Sequence, residues 1–181
     1  FTDMDPEGML TWGFDQLGTM PTIYNYPYYP EHIKAIGGFE IDNKYVENKL
    51  MVPEAVPEKY AKIAAMIQKR YNLHVVKLTK KMVFDEGYGQ KIFDLVNATY
   101  SHLYGYSQLT QKQINQYIKM YLGMLDLEFV TLIEDWSGDE RKLVGAGISM
   151  PSLSIALQKC HRGRMLPFGW WHLMRAMYFN V

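Results

Sequence analysis

The chain has 181 residues, 48% of them hydrophobic and 14% aromatic, with 19 basic residues against 19 acidic ones. That composition excludes a disordered tract, and a net charge of zero supplies no field that would gather nucleic acid or an anionic membrane. A lone cysteine, Cys160, excludes an internal disulfide and fits a reducing, cytoplasmic setting.

No apolar run reaches the roughly 18 residues that cross a bilayer, and no signal peptide opens the chain. Because it starts at Phe1 rather than Met and stops at Val181 after an aromatic-rich run, the expectation is a piece of a longer protein.

Residues 1–20 carry Asp3, Asp5, Pro6, Gly8, Gly13 and Gly18, which is loop chemistry. Asp3, Asp5 and Glu7 lack the glycine and closing glutamate of a calcium loop, so a solvated turn is expected there. Thr22-Ile23-Tyr24 reads as a short strand. Pro27 and Pro30 then fix an extended segment that runs into a helix over Glu31 to Ile36, stopped by Gly37-Gly38. Residues 39–41 and 45–52 read as strands.

Pro53 and Pro57 mark a short semi-rigid linker. A helix follows, with Tyr60, Ile63, Ala64, Ile67 and Tyr71 on one face. Residues 73–78 read as a strand. His74 beside it has no partner at metal-ligand spacing, and a structural role is expected. A second helix over 89–104 buries Ile92, Phe93, Val96, Tyr100 and Leu103, and Gly105 ends it. Thr110-Gln111-Lys112-Gln113 matches the capping box that opens a third helix.

Residues 127–150 read as an antiparallel hairpin: two apolar runs around a polar loop holding Ser137, Gly138 and Asp139. Both runs are nearly continuously apolar, which predicts strands covered on both faces. Gly145 and Gly147 either make room for a packed helix or mark a bulge or close approach. Pro151 ends the hairpin, Ser152 or Ser154 caps a short helix through Lys159, and residues 166–181 form an amphipathic helix. Cys160 and His161 are adjacent in a loop, not a nucleophile and base meeting in space. Lys159, His161, Arg162 and Arg164 form a basic cluster around Gly163, read as a solvated loop or a phosphate contact. The aromatic run Tyr24 to Tyr29 has no basic neighbours, unlike a groove for single-stranded nucleic acid.

The order after residue 72 is strand, helix, helix, strand, strand. It resembles the amino-terminal half of the GCN5-related N-acetyltransferase (GNAT) fold. Before the linker, Asn25, Gly37, Phe39 and the run to Val52 resemble the closing portion of such a domain. Residues 1–8, 24–30 and 167–170 resemble a family of bacterial proteins with two GNAT-type units in tandem.

The resemblance implies an α/β (α+β) chain with a mixed, mostly antiparallel sheet flanked by helices. It divides the chain into residues 1–52, the end of a first unit; 53–72, a linker and helix; and 73–181, the front half of a second unit. It implies acyl transfer from acetyl-CoA or another acyl-CoA to a small-molecule or peptide amine. Metal, nucleic acid and membrane play no part in that expectation, and a homodimer is possible.

On the same resemblance Asn25 lies near the cofactor, Tyr104 and Tyr106 line the acceptor site, and Ser149 and Ser152 lie near the splayed centre of the sheet. The family's Gln/Arg-x-x-Gly-x-Gly/Ala pyrophosphate loop is not found in the 181 residues. Ile33 stands where the first unit would carry a tyrosine acid. The alternative is a non-catalytic module that holds a ligand or peptide on a degenerate acyltransferase fold.

Overall fold

A computed structural model describes residues 8–19, 22–123, 126–160 and 164–179. Among them the chain divides into two units, one of residues 47–150 and one of residues 8–46 with 151–179.

The first unit is α+β. Helix α2 (Glu58–Tyr71) starts after Pro57, which presets φ, and carries Glu58 in its first turn and Lys69 and Arg70 in its last, as the helix dipole favours. Asn72 closes it in the left-handed region at φ 49°. Strand β1 (Leu73–Lys77) follows, then α3 (Lys80–Phe84), capped by the Thr79 hydroxyl. Helix α4 (Tyr88–Tyr100) enters through Gly87, whose φ of 75° suits a residue without Cβ.

Helix α5 (Gln111–Tyr117) opens on the expected capping box. The Thr110 side chain accepts from Gln113 N, and the Gln113 side chain accepts from Thr110 N at 2.9 Å. It widens into a π-helical turn over Ile118–Leu122. A 3-10 turn over Leu127–Phe129 leads into β2 (Val130–Asp135) and β3 (Lys142–Ile148).

The sheet order is β1-β2-β3, antiparallel throughout. Leu73 pairs with Asp135 at one end and Lys77 with Thr131 at the other; Val130 pairs with Ile148 across the hairpin, with a bulge at Ile133/Glu134. The expected hairpin therefore forms. Its strands are not covered on both faces, however. On β2, Val130, Leu132 and Glu134 alternate inward, while β3 buries only Leu143. The core joins these strands to α4 and α5 through Leu78, Val83, Ile92, Phe93, Leu109, Ile114, Tyr117 and Leu122.

Three other sequence expectations differ from the structure. Residues 22–24, 39–41 and 45–52 form no strand. Strand propensity needs a partner edge to be realised, and these residues pair with no strand among the described residues. The apolar face of α2 is not covered: Tyr60, Ile63, Ile67 and Tyr71 are all exposed. Helix α4 stops at Tyr100, short of Leu103, and α3 is a helix that short-range periodicity does not announce.

In the second unit, helix α1 (Tyr28–Ile36) begins two residues before Pro30. Helices α6 (Ser154–Lys159) and α7 (Gly169–Phe179) pack together. Cys160, fully buried, ties them: its sulfur lies within hydrogen-bond reach of the Ala156 carbonyl, at 3.2 Å, and of the Gly169 carbonyl, at 3.0 Å. A Cβ on residue 169 would fall 2.0 Å from the Arg164 carbonyl, so only glycine starts α7 there. His161, Arg162, Gly163 and the acidic cluster of residues 3–7 lie outside the described residues.

Candidate functional site

The residue that departs furthest from ordinary burial is Glu134, a carboxylate only 2% exposed on the inward face of β2. Its position follows from period two, since Val130, Leu132 and Glu134 point the same way. Both oxygens are satisfied. The Tyr88 hydroxyl, from the first residue of α4, donates to Oε1, and the Trp136 indole donates to Oε2 at 2.9 Å.

Burial by itself pushes the Glu134 carboxyl up. The Tyr88 and Trp136 bonds, with Arg141 and Lys91 nearby, outweigh it and hold the group below its ordinary value. The same bond to Glu134, with desolvation, pushes the Tyr88 phenol up to about 12. At neutral pH the carboxylate stays ionised and the phenol keeps its proton.

Trp136 is held from three sides. The Arg141 guanidinium sits 4.1 Å over its ring, the His74 imidazole stacks at 3.8 Å, and Asn72 bonds its backbone through N at 3.1 Å and O at 2.7 Å. His74 Nε2 also meets Asn72 Oδ1 at 3.1 Å, which gives the structural role expected of it. With both oxygens engaged, Glu134 is built to clamp α4 to the hairpin rather than to take a proton from a ligand.

At the opposite end of the sheet lies an open cleft of about 790 Å³ between the end of β1 and the turn into β2. Lys77 and Lys80 line it with Asp126 and Glu128. Among the described residues, Lys77, Lys80 and Glu128 take part in no ion pair. The cleft thus presents both signs of charge beside apolar walls of Val75 and Leu127. The π-helical turn ends at Gly123 on its rim, and π turns recur at functional sites.

The residues singled out from the sequence are distributed differently. Tyr104 and Tyr106 share the loop after α4; Tyr104 is exposed, and the Tyr106 hydroxyl donates to Asn97 Oδ1 at 2.6 Å. Ser149 follows β3, where its N–H and its hydroxyl both donate to the Phe129 carbonyl, at 3.0 Å and 3.1 Å. Asn25 and Ser152 belong to the second unit. The Asn25 amide pairs with Leu10, accepting from its N at 2.7 Å and donating to its O at 3.1 Å. The Ser152 hydroxyl bonds that of Ser154 at 3.2 Å.

Glu134 and Tyr88 were not found by sequence reasoning. The available signal was the acid in register with Val130 and Leu132.

Fold and site together define a class: an α+β protein with a three-stranded antiparallel sheet, a half-buried Tyr-Glu-Trp clamp and a mixed-charge cleft. Among the described residues, no helix is long and apolar enough to cross a membrane. No protein-family model, curated protein or solved structure matches the chain.

Proposed function

We propose that the protein is a cytoplasmic, GNAT-type N-acyltransferase that moves an acetyl or other acyl group from acyl-CoA to an amine. One observation carries this reading: a strand, helices and an antiparallel hairpin occur in chain order and lie side by side as β1-β2-β3. That is the order in which the resembling fold begins. In such a reaction the amine nitrogen attacks the thioester carbonyl. A C–N bond forms, the C–S bond breaks, the amine loses a proton and the CoA thiolate takes one up.

The mixed-charge cleft supports the amine half of this reading. Asp126 and Glu128 attract an ammonium, while Lys77 and Lys80 take an anionic group of the same acceptor. The acyl-CoA half rests on the resemblance, which puts the pyrophosphate loop after a fourth strand. A non-catalytic binding module is the second reading. It is favoured by the polar groups of Asn25, Tyr106 and Ser149, all engaged in bonds within the scaffold.

The test is titration of acetyl-CoA into the protein from its complete reading frame, with CoA release followed against a panel of primary amines. Micromolar acetyl-CoA binding with amine-dependent release supports the enzyme. Amine binding without affinity for acetyl-CoA supports the module, and the absence of both overturns the two readings together.

A further inference from the structure

The second unit carries a cavity of about 450 Å³ that the acyl-transfer reading does not use. Its walls are Met9, Ile23, Tyr24, Asn25, Tyr26 and Tyr29, with Gly8 at the edge, and none of these residues is charged. The tyrosine rings are largely open to water, at 56%, 62% and 45% exposure for Tyr24, Tyr26 and Tyr29. What sets these tyrosines apart from the other exposed residues of the segment is that three of them line one cavity.

The rings are fixed as well as exposed. Tyr24 and Tyr26 stand nearly edge to face, 73° apart with centroids 6.3 Å from one another. Tyr28, which is not among the lining residues, stacks on Tyr26 at 8° and 5.9 Å, and its ring centroid lies 4.9 Å from that of Tyr29 and 5.0 Å from that of His32. Pro27 restricts the backbone between these rings. The paired bonds between Asn25 and Leu10 fasten the wall that holds Met9 to the wall that holds the tyrosines.

Chemistry narrows the ligand. Among the described lining residues an anion finds no cation, only neutral side chains whose ring faces carry negative potential. Among the described lining residues the side-chain amide, that of Asn25, is already engaged, its oxygen on Leu10 and its nitrogen on Leu10 and Tyr26. A cation gains from each ring face within about 6 Å of a centroid. Two rings set nearly at right angles can both reach one compact charge.

We propose that the Tyr24–Tyr26–Tyr29 cavity is a binding site for a compact organic ammonium ion. The ion is held by ring faces, with its substituents against Met9 and Ile23. The proposal stands independently of acyl transfer.

The probes are choline and its neutral carbon analogue 3,3-dimethylbutan-1-ol, titrated into the whole chain while the tyrosine ring resonances are followed. Choline is expected to bind with shifts confined to these rings, and about tenfold more tightly than the neutral analogue. Tyr26→Phe keeps the ring face and should hold choline affinity within about threefold. Tyr26→Leu keeps apolar volume but removes the face, and should weaken choline about fivefold or more while leaving the neutral analogue unchanged. Equal binding of the two probes would make this a merely apolar hollow and overturn the proposal. So would binding of neither, or a Tyr26→Leu chain that binds choline as the parent does.

Discussion

At the scale of single residues, the clamp at Glu134 makes the sharpest demands. A buried carboxylate is tolerated because two donors reach it, and a hydrogen bond to a charged group is worth about 1.5–3 kcal/mol. Tyr88→Phe should therefore lower unfolding stability at neutral pH by about that amount, read as a lower urea midpoint with an unchanged slope. The signs of the pH response follow from the two shifts. Tyr88 is raised to about 12 in the fold against about 10 unfolded. Its contribution is full below the unfolded value and is lost as pH climbs through the folded one. Glu134 is lowered, so its contribution is present above the ordinary carboxylate range and disappears as pH falls through the depressed value. Stability measured from neutral pH to pH 12 should fall through the alkaline window in the parent and distinctly less in Tyr88→Phe. Identical alkaline limbs would show that the pair does not couple folding to pH.

Among elements, the seam between α4 and the π-helical turn is closely packed. A Cβ at Gly89 would lie 3.0 Å and 3.2 Å from two Ile118 side-chain carbons and 3.1 Å from the Val83 carbonyl. Alanine in a helix ordinarily gains about 1 kcal/mol over glycine. Here the carbonyl cannot swing away as a side-chain tip can, so Gly89→Ala should instead destabilise by about 1–2 kcal/mol. A stabilised Gly89→Ala chain would mean that the seam has slack. Thr110→Ala offers a comparison: it removes one half of the capping box and should cost about 1 kcal/mol.

That cap was legible in four letters of sequence because its chemistry is local. So was the hairpin, whose apolar runs and polar loop are contiguous. The strands read at residues 39–41 and 45–52 were not realised, since a strand depends on an edge elsewhere that no local pattern reports. The clamp was missed for a related reason. Tyr88 meets Glu134 across 46 residues of chain, and only the inward register of Glu134 was visible in advance.

For the molecule as a whole, the burial is unevenly shared. The core from Leu78 to Leu143 lies entirely within residues 47–150, whereas no described residue between 8 and 46 is buried. Hydrophobic stabilisation scales with the apolar area removed from water, roughly 25 cal/mol per Å². Cooperative unfolding should therefore belong to the first unit. Its elements from β1 to β3 form contacts among themselves, and the clamp and the capping box both lie inside it. A fragment of residues 47–150 should fold by itself, with one sigmoidal urea transition near that of the whole chain and the Trp136 fluorescence change that accompanies it. The exposed segment between α1 and α2 holds Lys44 and Lys49 outside any helix or strand, so trypsin should cut there before it reaches Lys77 or Lys91. If the fragment lacks a cooperative transition, or if the first cuts fall within β1 or α4, residues 47–150 do not carry the stability of the fold.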